Sequence, residues 1–184
     1  MNKSIIKNII TVVGVLFFQL MVLSRLNISQ NISPLIYPVL LFTVVRNMNP
    51  SILLLFGFGL GFFVDVFSNT GGAHAVACTV IAFVRPFFLS SIGPMDIGSD
   101  QIKPSILSLG IQKFAVYAFF LLAIHHVIFF MLEVFTFYNF PHTLFRIFSS
   151  VLISWVLLMS LQFLFNGRRS CTIQWGLQSQ SRDA

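Results

Sequence analysis

Residues 53–65 read Leu53-Leu54-Leu55-Phe56-Gly57-Phe58-Gly59-Leu60-Gly61-Phe62-Phe63-Val64-Asp65. Only apolar residues and glycine precede the carboxylate. Extended to Ile52–Phe67, the run suits a helix crossing a bilayer, which needs about 20 apolar residues or fewer where the bilayer thins. Gly57, Gly61 and Asp65 stand at i, i+4 and i+8 and therefore share one helical face. Small residues on that face let another helix approach closely, and the carboxylate ends the stripe. Two explanations stay open. One is ordinary helix packing with an acid reaching the nearby surface; the other is a functional polar contact, the default for an intramembrane acid. The glycines are not a phosphate-binding loop, because that motif requires a preceding strand and a Lys-Ser/Thr ending.

The composition agrees with that reading. Of 184 residues, 57% are hydrophobic and 9% charged, with 23 phenylalanines, and the mean hydropathy is +0.90. A soluble domain carries about a quarter charged residues, so this chain could not cover a water-facing surface. The net charge of +6 comes from 11 Lys and Arg against 5 Asp and Glu. Its cations are spread along the chain, mostly in the breaks between apolar runs, which reads as membrane orientation and not as a nucleic-acid face. Cys78 lies in an apolar run and Cys171 in the polar tail; at different depths they are expected to stay unpaired thiols.

The expected fold is an all-α integral membrane protein, a six-helix transmembrane bundle occupying residues 1–166, with 167–184 as a polar, poorly ordered cytoplasmic tail. The spans are Ile5–Leu23, Ile32–Val45, Ile52–Phe67, Ala73–Ile92, Ile111–Phe135 and Leu144–Phe165. Ile5–Leu23 is a retained span and not a cleaved leader, since Ser24-Arg25-Leu26-Asn27 offers no small-residue cleavage site. Ile32–Val45 is short, reaching about 20 Å at 1.5 Å per residue, and carries Pro34 and Pro38. It is either a thin span or a re-entrant segment. Cations favour counting it as a pass. With six spans, Lys3, Arg46, Lys103, Arg168, Arg169 and Arg182 fall on the inner side, and the outer loops hold only Arg25. Both termini are then cytoplasmic. Two glycosylation-type sequons, at Asn27 and Asn31, fall in an outer loop and are expected to be chance matches.

Further polar residues interrupt the spans. His74 opens the fourth after Gly71-Gly72, and Arg85-Pro86 lies inside it. An intramembrane Arg is costly and faces protein, a partner or water, or reaches the inner headgroups. The fifth span carries His125, His126 and Glu133. Adjacent histidines point about 100° apart, so they do not form a zinc pair of the i, i+4 kind. His126 and Glu133 share a face and are expected to meet neighbouring helices, with Glu133, Asp65 and Arg146 close enough in depth to form an ion-pair cluster. No catalytic constellation, metal site or cofactor motif is present in the sequence.

The stretch 53–65, its continuation Asn69-Thr70-Gly71-Gly72-Ala73-His74-Ala75, and Phe83-Val84-Arg85-Pro86 together resemble the MreD family of rod shape-determining proteins. In that family a Gly-rich span ends in Asp, and Gly and often His open the next span. The segment from His125-His126 through Glu133 to Asn139-Phe140 is similar to one branch of it.

The resemblance implies a non-enzymatic subunit of the cell-elongation (rod) complex, in the bacterial inner membrane, supporting lateral peptidoglycan synthesis and cell shape. It implies an MreC-like bitopic partner and, through it, an MreB-like filament and the RodA–transpeptidase pair. Gly57, Gly61, Asp65, His74, Arg85, His126 and Glu133 are the candidate packing and partner-binding residues. A fold similar to the substrate-binding subunits of energy-coupling-factor transporters is implied too. The alternative is therefore a vitamin-binding subunit of such a transporter, although those subunits dock through an Ala-x-x-x-Ala face on their first span, and this chain has no alanine before Ala73.

Overall fold

A computed structural model of the chain describes residues 3–23, 33–44, 48–92, 104–134 and 140–180. In its first and last helices the side chains described are Ile6, 9–21 and 140–164. The loop 93–103, the sequon asparagines Asn27 and Asn31, Arg46, and the side chains of Arg168, Arg169 and Cys171 lie outside that description.

Among the described residues every regular element is a helix. The first, α1 (Lys3–Phe18), widens into a π-helical turn at Gln19–Leu23. A single helical turn, α2 (Val39–Phe42), precedes the long helices α3 (Pro50–Ser68) and α4 (Ala73–Ser91). Then come a second short turn, α5 (Ile106–Leu109), and the long helices α6 (Ile111–Val134) and α7 (Phe140–Gln180). Four helices are long and apolar enough to cross a membrane: α3, α4, α6 and the Phe140–Leu164 part of α7. Helix α1 contributes a shorter apolar stretch, Ile9–Met21. The outward faces are aromatic. Phe58, Phe62, Phe67, Phe83, Phe87 and Phe148 are each more than half exposed, which suits a hydrocarbon solvent and reads as a multi-pass membrane protein.

Local chemistry sets the helix ends. Asn49 caps α3, its side chain accepting the Ser51 N–H at 3.0 Å, and Pro50 takes the first position, where a missing N–H costs nothing. The α3–α4 turn needs the left-handed region, supplied by Asn69 at φ 54° and by Gly71 and Gly72 at φ 61° and 99°. This makes α3 and α4 an antiparallel hairpin, the most extensive packing in the molecule, followed by α4 on α6 and α6 on α7.

Two expectations need correcting. The described part of the second span, residues 33–44, is not a transmembrane helix: residues 33–36 are irregular, 37–38 form a turn, and only Val39–Phe42 is helical. Pro34 and Pro38 each remove a backbone donor, so a continuous helix could not close here. The segment is nonetheless buried, with Tyr37, Leu41 and Phe42 fully so. Irregular backbone is tolerated at membrane depth only when protein satisfies it, and here it does. Gln19 Nε2 donates to the Pro34 carbonyl at 3.1 Å, and Gln19 Oε1 accepts the Ile36 N–H at 2.7 Å. Ser150 Oγ accepts the Ser33 N–H at 3.1 Å, and Ser154 Oγ the Leu35 N–H at 2.9 Å. At the other end, Tyr117 donates to the Phe42 carbonyl at 3.2 Å. The segment thus runs from the level of His126, which holds Ser154, to that of Tyr117. Nine residues of α6 separate those levels, about 14 Å. It descends through roughly half of a bilayer about 30 Å thick.

The second correction concerns the tail. Helical backbone runs on to Gln180, with no proline after Pro141 to stop it.

Candidate functional site: a buried polar core

The α3 glycine stripe faces α4 along its whole length. A Cβ built on Gly61 would lie 2.4 Å from the His74 carbonyl oxygen and 2.5 Å from Ala75 Cα. At Gly57 the same atom would meet Ala82 Cβ and the Cys78 carbonyl, both at 3.0 Å. Gly59, on the opposite face, has nothing within 4 Å. Close backbone approach is what small residues permit in membranes, and here it serves α3 and α4 of one chain.

That approach delivers Asp65 to the start of α4. Its Oδ1 accepts from the Thr70 hydroxyl at 2.5 Å and the His74 N–H at 3.1 Å, and its Oδ2 from the Ala75 N–H at 2.8 Å. Gly72, at the capping position of α4, has no side chain to do this. The carboxylate from the preceding helix therefore satisfies two amide donors that a helix start leaves open, and it sits at the positive end of the helix dipole. Asp65 is buried, and its charge is answered within the chain.

The first turn of α4 then aims His74 and Cys78, one helical turn apart, at Tyr37. The Tyr37 hydroxyl lies 2.8 Å from His74 Nδ1 and 2.6 Å from His125 Nε2. The Cys78 thiol donates to the same oxygen at 3.7 Å. A hydroxyl has one proton to give, so Tyr37 donates to one imidazole and accepts from the other. His74 also stacks on Phe129, with centroids 4.2 Å apart. All four side chains are buried, and they join the irregular segment, α4 and α6 at one point.

His126 turns the other way, as adjacent helical positions require. Its Nδ1 donates to the Leu122 carbonyl at 2.8 Å, which in the neutral ring leaves Nε2 to accept from the Ser154 hydroxyl at 3.3 Å. Farther along, Glu133 and Arg146 pair at 3.5 Å, and the Arg146 guanidinium lies 4.8 Å from the Phe130 ring. Asp65 stands apart from that pair. Arg85 points into the bundle, its Nε donating to the Tyr117 hydroxyl at 3.2 Å and its Nη2 to the Val44 carbonyl.

Of the seven candidates from the sequence, Gly57, Gly61, Asp65, His74, Arg85 and His126 thus face the chain's own interior, and Glu133 is at the surface. Asp65 and His74 act together; Arg85, His126 and Glu133 stand at separate depths. Sequence reasoning left out Tyr37, Gln19, Tyr117, Ser150 and Ser154. Gln19, a lone amide in an apolar run, and Tyr37, between two prolines' turns, were the available signals. Among the described residues no three His, Cys, Asp or Glu side chains are arranged to hold a metal ion. No protein-family model, curated protein sequence or solved structure matches the chain.

Proposed function

We propose that this chain is a non-enzymatic scaffold of the bacterial cell-elongation complex, an MreD-like subunit of the inner membrane with both termini cytoplasmic. The observation that carries the reading is the unit formed by Gly61, Asp65 and His74. The residues of the family-like stretch are the ones that lock α3 to α4, with the Asp65 carboxylate on the Ala75 N–H at 2.8 Å. A bundle fastened in this way offers a stable apolar surface to a single-span partner, which helix packing would hold. Residues 33–44 fill the space between α4, α6 and α7 with buried side chains, which favours a scaffold over small-molecule capture. In this reading the segment 33–44 is the return pass between α1 and α3.

The test is detergent extraction of the tagged chain from its own bacterium, followed by mass spectrometry. A bitopic elongation protein should co-purify, and depletion of the chain should turn rods into rounded cells. Recovery of an ATP-binding-cassette module with a transmembrane coupling subunit, and no elongation proteins, would replace this reading with the vitamin-transporter one.

A further inference from the structure

Arg85 is a buried cation without a counter-ion among the described residues. Its side chain is 0% exposed, while the flanking Phe83 and Phe87 face outwards. The Nε and Nη2 edge is engaged by Tyr117 and the Val44 carbonyl, but Nη1 has no hydrogen-bond partner. Both described carboxylates are occupied elsewhere: Asp65 by the start of α4 and Glu133 by Arg146. Buried charges are normally paired, because an uncompensated ion in a low-dielectric interior is strongly unfavourable. The Nη1 amino group carries two N–H donors and has no partner, so it is able to donate to an oxyanion.

We propose that the unpartnered Nη1 group of Arg85 is an oxyanion site that takes a phosphodiester, the headgroup phosphate of an anionic phospholipid. Three observations select that ligand. Among the described residues the cluster contains one guanidinium, one tyrosine and the Phe42 and Val44 carbonyls, a single positive charge that matches a monoanion. Arg85 lies six residues before the end of α4 at Ser91, so a headgroup has to draw inwards about 9 Å along the axis to meet it. Basic pockets between spans on the cytoplasmic side are recurrent headgroup sites, and the scaffold topology puts Arg85 on that side. Only this last point rests on the proposed function.

The experiment uses the full chain in detergent with dioctanoyl phosphatidylglycerol, dioctanoylglycerol (which lacks the phosphate) and inorganic phosphate as probes. Native mass spectrometry should show retained phosphatidylglycerol, with affinity lowered about tenfold or more by Arg85→Gln and lowered less by Arg85→Lys, which keeps the charge without the guanidinium's geometry. If Arg85→Gln fails to fold, the wild-type protein labelled with 15N-arginine decides. The Arg85 side-chain signal should move with phosphatidylglycerol and stay still with dioctanoylglycerol. Equal retention of dioctanoylglycerol, or unchanged affinity in a folded Arg85→Gln protein, would overturn the site. Displacement of the lipid by equimolar inorganic phosphate would overturn the lipid source in favour of a free anion. A shift of the Arg85 signal in the Asp96→Asn/Asp100→Asn double variant, with no response to lipid, would assign the counter-ion to this chain's own carboxylates. A scaffold that fails its pull-down while this lipid response holds would leave the site standing.

Discussion

The Tyr37 hydroxyl bridges His74 Nδ1 and His125 Nε2, at 2.8 and 2.6 Å, between residues 37 and 88 positions apart in the chain. One oxygen thereby couples the irregular segment to α4 and α6. Tyr37→Phe keeps the ring and removes that oxygen, leaving two buried imidazole nitrogens without it. Leaving such groups unsatisfied costs about 1–3 kcal/mol. The melting temperature in detergent should fall, with helix content by circular dichroism unchanged before the transition. An unaltered melting temperature would show that the bridge is not a stabilising contact.

Gly61 and Gly59 form a matched pair of tests on one helix. Gly61→Ala puts a methyl against the His74 carbonyl and Ala75 Cα, at 2.4 and 2.5 Å before relaxation. Overpacking of that kind costs about 1–3 kcal/mol. Gly59→Ala meets nothing within 4 Å and exchanges a poor helix former for a good one, worth up to about 1 kcal/mol in soluble hosts. Thermal unfolding should rank Gly59→Ala at or above the parent and Gly61→Ala clearly below it.

Asp65→Ala removes the acceptor for Thr70, His74 and Ala75 together. Loss of a helix cap costs about 0.5–2 kcal/mol, and here an ionic acceptor goes with it. Steady-state abundance in the membrane should drop, with faster amide exchange in the first turn of α4. Normal abundance and exchange alongside lost partner binding would assign Asp65 to a partner and not to the α4 start.

Gln19→Leu keeps the side chain's bulk approximately and withdraws three contacts to the irregular segment, those with the Pro34 carbonyl and the Ile36 and Tyr37 N–H groups. Segment 33–44 should lose protection from hydrogen exchange before α4 or α6 does. Simultaneous loss across the whole bundle would instead make Gln19 part of a single cooperative unit.

Topology can be read directly. Reporter fusions at Asn69 and Ala184 should report outside and inside, since with six passes the cations of the sequence fall mainly on one side. An external signal at Ala184 would contradict six passes.

Composition and apolar run length alone establish that this chain lives in a bilayer, because transfer into hydrocarbon is a sum over residues and needs no knowledge of neighbours. The Gly57–Gly61–Asp65 face was legible for a similar reason: helical period is local, and small residues on one face announce a close approach. What approaches was not legible. Only the tertiary structure makes it α4 of the same chain, and makes Asp65 the acceptor for that helix's first amides. The segment 33–44 shows the limit most clearly. Its hydropathy is that of a span, yet its backbone is irregular, because Gln19, Ser150, Ser154 and Tyr117 supply hydrogen bonds from distant parts of the chain. Arg85 behaves likewise: the sequence marks a costly charge within a span, and the fold decides that it faces inward, beside Tyr117, with its Nη1 unpartnered. Hydrophobic burial is additive along a sequence, whereas a hydrogen bond exists only once both partners have been brought together.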